Sequence, residues 1–334
     1  MGEVYEAPMP ELPEVETIRR RLEAHLRGAS VLRALLRRRD VLRSLERHER
    51  LPRRGGGPER ALRPRSAAAE RSLLVGATIE SLVRRGKQLA LVAEDGRVLL
   101  VQLGMSGRLL LDQRANGGPA PWPAPRIPHT HAEWSLRAGE RDYELRFVDP
   151  RRFGGLAALP TRGALDRHWS NLGPDALDLD ATELAASLRR SKRPIKSLLL
   201  DQAIVAGIGN IYADEIMHRI AMHPCIRANR LAHLAVEFVD AIRIVLRDAI
   251  EQGGSTVRDY RDPSGDFGSY QRQHRVYGRA GADCERCRSR GDRSMIRRIV
   301  VAGRGTWFCP GCQPLRTRGP LAVGRLSTGH AQRI

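Results

Sequence analysis

The stretch Ala77–Leu111, ATIESLVRRGKQLALVAEDGRVLLVQLGMSGRLLL, decides the fold of the N-terminal half of the chain. Its apolar runs are interrupted at Glu94–Gly96, and an Asp-Gly pair between two such runs is a strong signal for a β-hairpin. Apolar runs at His131–Leu136 and Tyr143–Val148 add further strands. The pattern predicts a β-rich first domain that ends near Thr161.

Helical periodicity precedes and follows these strands. Apolar residues at helical spacing between Val15 and Leu26 predict an amphipathic helix whose apolar stripe belongs to the core. From Leu177 onward the periodicity is helical again, and the glycines Gly253 and Gly254 supply a C-terminal stop. The successive helical segments read TELAASLRR, IKSLLLDQ, IYADEIMHRI and HLAVEFVDAIRIVLRDAIEQ.

Composition limits the class of protein. The 334 residues suffice for two domains, and the net charge of +19 favours a polyanionic partner, nucleic acid first and a membrane surface second. A solvated arginine-rich surface is the alternative. Since no apolar run approaches the roughly 18 residues that cross a bilayer, and the first residues lack a signal core, we expect a soluble intracellular protein.

The cysteines give the strongest spacing signal. Two CxxC pairs, Cys284 with Cys287 and Cys309 with Cys312, can close a tetrahedral site, for which zinc is favoured over a rubredoxin-like iron. Four thiolates leave no open position for water, so the metal is expected to hold the fold. The residues between the pairs predict two strands around a Gly-rich turn, where Arg304 points outward to meet phosphate or a base edge.

Four shorter motifs suggest contacts with nucleic acid. In VAGIGNIYADE, glycines precede a helix that starts near Asn210, an arrangement that binds anions but also occurs in plain helix connections. Lys192 and Lys196 come before it and either add charge or are solvated. DPRRFGG combines Phe153 with arginines, as in a wedge that enters a duplex, or is a surface turn. Met105 in LGMSG offers a second apolar group or a core residue. HTHAEW places His129 and His131 at a strand start, where either contacts phosphate or both are surface histidines.

The N-terminal motif MPELPEVE allows two interpretations of Pro10, as a nucleophile or as the start of a helix. If Pro10 is the first residue, it is a secondary amine that can attack an electrophilic sugar carbon, whereas inside the chain its nitrogen is an amide. Glu11 is placed to donate a proton and Glu14 lies in the same turn. The same residues also suit a proline-initiated helix entry. We expect translation from Met9, followed by removal of that methionine.

The ordered set MPELPEVETIRR, RRGKQL, LGMSG, DPRRFG, AGIGNIYADE and the paired CxxC module resembles the formamidopyrimidine-DNA glycosylase family, bacterial enzymes that remove oxidised purines such as 8-oxoguanine. The match runs from Met9 to about Gln313. The resemblance implies an α+β fold: an N-terminal β-sandwich domain with flanking helices, and a C-terminal helix-two-turn-helix domain plus a zinc-binding β-hairpin, with DNA in the cleft between them.

The implied organisation has six parts. They are an extension at 1–8, a catalytic β-sandwich domain at 9–161 with a flexible insertion at about 47–71, a helix-two-turn-helix domain at 177–254, a lesion-capping loop at 255–275, a zinc finger at 276–313 and a disordered basic tail at 314–334.

The resemblance also implies roles for single residues. Pro10 is the Schiff-base nucleophile, Glu11 the proton donor, Lys87 a proton donor or phosphate contact, and Arg304 a phosphate contact and donor in the last elimination. The residues implied to fill the void left by the flipped nucleotide are Met105, Arg151 and Phe153. Those implied to contact DNA phosphates are Lys196 and Asn210, with His129 and Lys192 as further DNA contacts, and those implied to give support are Glu14 and Glu215.

The implied activity is base excision followed by β- and δ-elimination. One Zn²⁺ on Cys284, Cys287, Cys309 and Cys312 is structural, and the reaction itself needs no metal. The expected partner is damaged double-stranded DNA, bound by a monomer in the cytoplasm at the bacterial nucleoid. Two alternatives remain: an endonuclease VIII-like enzyme for pyrimidine lesions, and a noncatalytic protein that binds damaged DNA when the extension is retained.

Overall fold

The computed structural model describes residues 9–43, 71–114, 123, 127–257 and 260–315. The extension at 1–8, the tail beyond 315 and all of the predicted insertion except Arg71 lie outside the described residues. Among the described residues, no helix is both long enough and apolar enough to span a membrane.

The helices and strands follow the predicted order. The helices are α1 (Leu12–Leu26), α2 (Arg162–Trp169), α3 (Ala181–Arg190), α4 (Ile195–Leu199), α5 (Asn210–Arg219), α6 (Ala235–Glu251) and α7 (Glu285–Arg288). The strands are β1 (Ser30–Leu36), β2 (Leu42–Arg43), β3 (Ile79–Arg85), β4 (Gln88–Ala93), β5 (Val98–Gln102), β6 (Arg108–Gln113), β7 (Thr130–Ala138), β8 (Arg141–Val148), β9 (Gly155–Leu159), β10 (Arg297–Val301) and β11 (Arg304–Phe308).

The chain packs as two compact units that are not contiguous in sequence. One contains the described residues up to Leu179 together with Leu199–Gly209 and Arg243–Gln273, and the other contains Asp180–Leu198, Asn210–Ile242 and the described residues from His274. These units interleave along the chain, whereas the domains predicted above are continuous segments. Because these units do not correspond to continuous segments, they do not test the predicted domain boundaries, which remain a prediction.

The first unit is built on two sheets that share one core. The four-stranded sheet has the order β1-β7-β8-β6, and the five-stranded sheet has the order β2-β9-β5-β4-β3. Side chains from both sheets, among them Leu91, Val101, Trp134 and Phe147, lie in one buried cluster with the apolar stripe of α1. The other face of the five-stranded sheet packs against Trp169 and its neighbours in α2. This arrangement confirms the expected β-sandwich with flanking helices.

The local signals predicted these elements well. Val15, Ile18, Leu22 and Leu26 are all fully buried along α1, as the amphipathic pattern requires. The Asp-Gly turn connects β4 to β5, with Gly96 at φ +84°. The predicted helix from Ile195 is shorter than expected and ends at Leu199 rather than Gln202. The side-chain amide of Gln202 instead donates to the carbonyl of Ile208 at 2.9 Å, so this residue orders the following loop.

The second unit carries α3, α4, α5, the first half of α6 and the cysteine module. Strands β10 and β11 form the predicted antiparallel hairpin, with Arg297 opposite Phe308 and Val301 opposite Arg304. The turn consists of Ala302 at φ +50° and Gly303 at φ +76°. Two successive positive φ angles are typical of the tight type I′ hairpin turn.

Candidate active site

The N-terminal turn of the first unit is held by buried carboxylates. Pro10 is buried and directly precedes Glu11, the N-cap of α1. One oxygen of Glu14 accepts the backbone N–H of Glu11 at 2.8 Å, and its other oxygen accepts the N–H of Ser255 at 2.7 Å. Glu14 thus ties the N-terminal turn of α1 to the segment that follows α6. The support role expected for Glu14 stays a prediction.

Glu11 and Lys87 converge on one point beside this turn. The Glu11 carboxylate is buried and accepts the backbone N–H of Gly209 at 2.6 Å. A Cβ added at Gly209 would lie 2.3 Å from Glu11 Cδ and 2.6 Å from Lys87 Nζ. The absence of a side chain at Gly209 is therefore what lets a carboxylate and an ammonium group meet there, as an acid–base pair requires.

The glycine loop does not offer this amide to an outside anion. The Gly209 N–H is occupied by Glu11, and the carbonyl of Gly207, which has φ +115°, accepts the N–H of Leu12 at 3.1 Å. A Cβ at Gly207 would lie 2.5 Å from Leu12 Cδ1. The glycines thus permit close packing on the N-terminal turn, where the sequence predicted either an anion-binding loop or a plain connection.

The LGMSG and DPRRFGG loops are joined through Asp149. The buried Asp149 carboxylate accepts the hydroxyl of Ser106 at 2.5 Å and the backbone N–H of Gly154 at 2.8 Å. A Cβ at Gly104 would lie 2.4 Å from the nitrogen of Gly154, so the two loops touch backbone to backbone. Although Asp149 belongs to the DPRRFGG motif, no feature of that motif predicts this anchoring role.

The joined loops present the groups that the sequence singled out. Phe153 is 42% exposed, and the Arg151 guanidinium carbon lies 5.2 Å from the centroid of its ring. Met105 is half-buried on the neighbouring loop. His129 is exposed at φ +64°, and its carbonyl accepts the Asp149 N–H at 3.0 Å. All four candidates are therefore carried by loops that Asp149 holds together.

In the second unit, the hairpin turn presents Arg304 at the surface, as predicted. The next residue, Gly305, has a carbonyl that accepts the side-chain amide of Asn210 at 3.0 Å and the ammonium of Lys196 at 3.0 Å. Two residues predicted to contact DNA thus also hold the backbone next to Arg304. Lys192, four residues before Lys196, is exposed.

The location of Lys196 differs from the predicted phosphate contact. Its side chain has no exposed surface, its ammonium lies 2.8 Å from Asp214 and it donates to Thr306 Oγ1 at 2.8 Å. An ammonium in this position is neutralised by a buried carboxylate and cannot meet a phosphate without leaving that carboxylate unpaired. In this structure Lys196 connects α4 and α5 to the hairpin.

Glu215 is a second buried carboxylate that orders a loop. It accepts the backbone N–H groups of Arg275, Val276 and Tyr277 at 2.9, 3.0 and 2.9 Å. Three such bonds fix the segment that leads into the cysteine module. The support role expected for Glu215 likewise stays a prediction.

The four predicted cysteine ligands form a cluster that could hold a metal ion. Their sulfur atoms all lie within 4.8 Å of one another, with Cys287 and Cys309 at 3.6 Å and Cys284 and Cys312 at 3.8 Å. Four sulfurs around one tetrahedral Zn²⁺ at about 2.3 Å lie roughly 3.8 Å apart, so the cluster has the right size for zinc. The Ser294 hydroxyl lies 3.2 Å from the Cys309 sulfur, within reach of a ligand thiolate.

Comparison with known proteins identifies the family. Residues 9–156 match the N-terminal domain of formamidopyrimidine-DNA glycosylase, and residues 172–261 match its H2TH domain. The formamidopyrimidine-DNA glycosylase of Thermomicrobium roseum is 41% identical over 322 residues, which cover 92% of this chain and 100% of the relative. That of Cereibacter sphaeroides is 40% identical over 311 residues, with 91% and 100% coverage.

Solved structures agree. An FPG mutant of Lactococcus lactis in complex with a Fapy-dG containing DNA is similar, with a TM-score of 0.74, 32% identity and coverage of 91% of this chain and 100% of that one. MutM in complex with carbocyclic 8-oxo-G containing DNA also has a TM-score of 0.74, with 31% identity and the same coverage. Because identity near 40% extends over nine tenths of the sequence and the fold agrees, the chain belongs to the formamidopyrimidine-DNA glycosylase family.

Proposed function

We propose that this protein, in a form that begins at Pro10, is a bifunctional DNA glycosylase and AP lyase for oxidised purines, 8-oxoguanine and formamidopyrimidines, in duplex DNA. Family membership and the DNA complexes of the similar structures support the substrate class. The observation that carries the chemistry is the convergence of Lys87 and Glu11, the residue that follows Pro10, at Gly209.

The first steps use the Pro10 nitrogen as nucleophile. Its lone pair forms a bond to C1′ of the damaged nucleotide while the electrons of the C1′–base bond leave with the base, and the departing base takes up the proton that the Pro10 nitrogen loses. Glu11 donates a proton to the sugar ring oxygen as the ring opens, which leaves an iminium between Pro10 and C1′. Loss of a C2′ proton then expels the 3′ phosphate.

In the last elimination the 5′ phosphate leaves, and water releases the sugar remnant from Pro10. Lys87 donates a proton or contacts a phosphate during these eliminations, and Arg304 assists the final one. The result is a one-nucleotide gap. The reaction needs no metal, and the role of one Zn²⁺ on the four cysteines is to hold the hairpin that carries Arg304.

The proposed DNA interface consists of exposed and half-buried side chains. Met105, Arg151 and Phe153 fill the space left by the flipped nucleotide. The residues proposed to contact the DNA backbone are Arg304, Asn210, His129 and Lys192, while Lys196 contributes by holding the Gly305 carbonyl. The proposed setting is a monomer that acts on the nucleoid in the cytoplasm.

The proposal requires a free Pro10 amine. The family match begins at residue 9, which supports Met9 as the translation start and its removal as the step that exposes Pro10. Intact-mass analysis of the native protein tests this directly. An active form that retains Met9 or residues before it contradicts the proposed nucleophile.

The decisive experiment compares two forms of the chain, one beginning at Pro10 and one at Met1, on the same 8-oxoguanine duplex. We expect the Pro10 form to cut the duplex and to be trapped covalently by borohydride, because only in this form is the Pro10 nitrogen an amine that can form an iminium in the site. The Met1 form is the matched control, with every other contact retained. Equal cleavage by both forms would assign the nucleophile elsewhere, and binding without cleavage by both would favour the noncatalytic alternative.

A further inference from the structure

A buried ion cluster lies behind the turn that carries Lys87. Arg84, at the end of β3, donates from Nε to Glu16 in α1 at 3.0 Å, and from its two terminal nitrogens to Asp175 at 2.5 and 3.1 Å. The three side chains are exposed by 8%, 8% and 10%, respectively. One guanidinium therefore links the N-terminal helix, the β3–β4 hairpin and the segment after α2.

The same cluster forms hydrogen bonds with both the N–H and the carbonyl of Gly86. Asp175 Oδ2 accepts the Gly86 N–H at 2.8 Å, and a terminal nitrogen of Arg84 donates to the Gly86 carbonyl at 3.1 Å. Gly86 has φ +56°, the value that the first position of a two-residue II′ hairpin requires. A Cβ at this position would lie 2.9 Å from the Cβ of Ala206, so the turn also packs closely on the glycine loop.

We propose that Arg84 and Asp175 are positioning residues for Lys87, an inference that rests on the proposed function. A lysine side chain has four rotatable bonds, so its amine is placed reproducibly only if the backbone that carries it is fixed. The residue before Lys87 is held at its N–H, its carbonyl and its α-carbon. The outcome is a Lys87 ammonium beside the Glu11 carboxylate, at the point that Gly209 leaves open.

The energetics of buried ion pairs favour a role for Arg84 and Asp175 in placing Lys87 over a role in stabilising the fold alone. A buried ion pair often contributes no more to folding than a well-packed apolar replacement, because desolvation offsets the attraction. A fork of two hydrogen bonds, however, fixes direction as well as distance. The Asp175 carboxylate also accepts the N–H of Gly86 at 2.8 Å and the N–H of Leu177 at 3.2 Å. Its position is therefore fixed by backbone groups as well as by Arg84.

The test is a double-mutant cycle in the Pro10 form, with single-turnover cleavage of an abasic-site duplex as the readout. Asp175→Asn keeps the shape but loses the charge that binds Arg84, and we expect the rate to fall roughly 10- to 100-fold, as expected for a misplaced catalytic group. In a Lys87→Ala background the same change should have no further effect, because there is no amine left to position. If the two losses multiply, Asp175 does not act through Lys87 and the inference is wrong.

Glu133→Gln is the matched control. Glu133 is fully buried and binds the Arg37 guanidinium at 2.6 Å in the same unit, but it does not contact Gly86. It should lower the melting temperature without lowering the single-turnover rate of folded protein. If Asp175→Asn does not fold, Arg84→Lys, which keeps the charge but loses the fork, is used in the same cycle. An inactive parent enzyme would refute the proposed function, whereas an active parent with an unchanged Asp175→Asn rate would refute only the positioning role.

Discussion

The predicted contact between Lys196 and a DNA phosphate can be tested directly, because the side chain of Lys196 is fully buried in the structure. Its ammonium is fully buried against Asp214 and bonded to Thr306 and Gly305, while Lys192, four residues earlier, is exposed. Lys196→Met keeps the length and removes the charge. Lys192→Met is the same substitution at the surface of the same segment and serves as the control.

The structure sets the expected magnitudes. Lys196→Met leaves the Asp214 carboxylate buried without its cation, although Asp214 still accepts the Trp307 N–H at 2.9 Å. Removing one partner of a buried pair lowers the free energy of unfolding by about 3–5 kcal/mol, whereas an exposed substitution such as Lys192→Met changes it by about 0.5 kcal/mol or less. The Lys196 variant should therefore be strongly destabilised but should retain its surface charge.

The assay is duplex affinity measured as a function of salt, on protein that circular dichroism shows to be folded. Each phosphate contact contributes about 0.9 to the slope of log affinity against log salt. We expect Lys196→Met to weaken binding with the slope unchanged, and Lys192→Met to reduce the slope by about 0.9 if Lys192 contacts a phosphate. A slope reduction of that size for Lys196→Met would refute our reasoning, because it would place this ammonium on DNA in the complex.

Three further predictions concern the metal, the glycine loop and acid stability. Cys309→Ser should reduce bound zinc from one per chain to none and unfold the cysteine module, as a metal-content assay and loss of duplex binding would show. Gly209→Ala should slow single-turnover excision roughly 100-fold, because its Cβ would lie 2.3 Å from Glu11 Cδ and 2.6 Å from Lys87 Nζ; an unchanged rate would contradict the site. Burial alone would raise the pKa of Glu16, but hydrogen bonds from three arginines lower it from 4.5 to about 2. Since the folded pKa is the lower one, this stabilisation is present above about pH 4.5 and is lost as pH falls toward 2, and Glu16→Gln should flatten urea midpoints over that range.

The sequence predicted those features that local patterns report. Strand and helix periodicity, the turn at Gly96 and the paired cysteines each depend on neighbouring residues, so each could be predicted without the fold. The joining contacts could not be predicted in this way. Arg84 and Asp175 are 91 positions apart, and Glu14 and Ser255 are 241 apart, so no local pattern connects them.

Lys196 is a second case in which a contact between distant residues could not be predicted from the sequence. A lysine side chain is usually solvated, and the apolar residues beside Lys196 do not show that its ammonium is buried with them. What buries it is the carboxylate of Asp214 on another helix, together with acceptors on the hairpin. The role of an ionisable residue thus depends on its partner, and a distant partner becomes visible only in the fold.

Several buried carboxylates bind backbone N–H groups in this strongly basic chain. Among the described residues, nine Asp and Glu residues but only two Lys or Arg residues are buried when backbone and side chain are counted together, so the excess positive charge is concentrated at the surface, where a polyanion can meet it. A carboxylate only accepts hydrogen bonds, and a buried one therefore collects backbone N–H groups. Glu14, Asp149 and Glu215 do this for the N-terminal turn, the Phe153 loop and the segment before the cysteine module. Replacing any of the three by its amide leaves the surface almost unchanged but makes one acceptor oxygen a donor that faces an N–H, so we expect loss of loop order with little change in nonspecific DNA affinity.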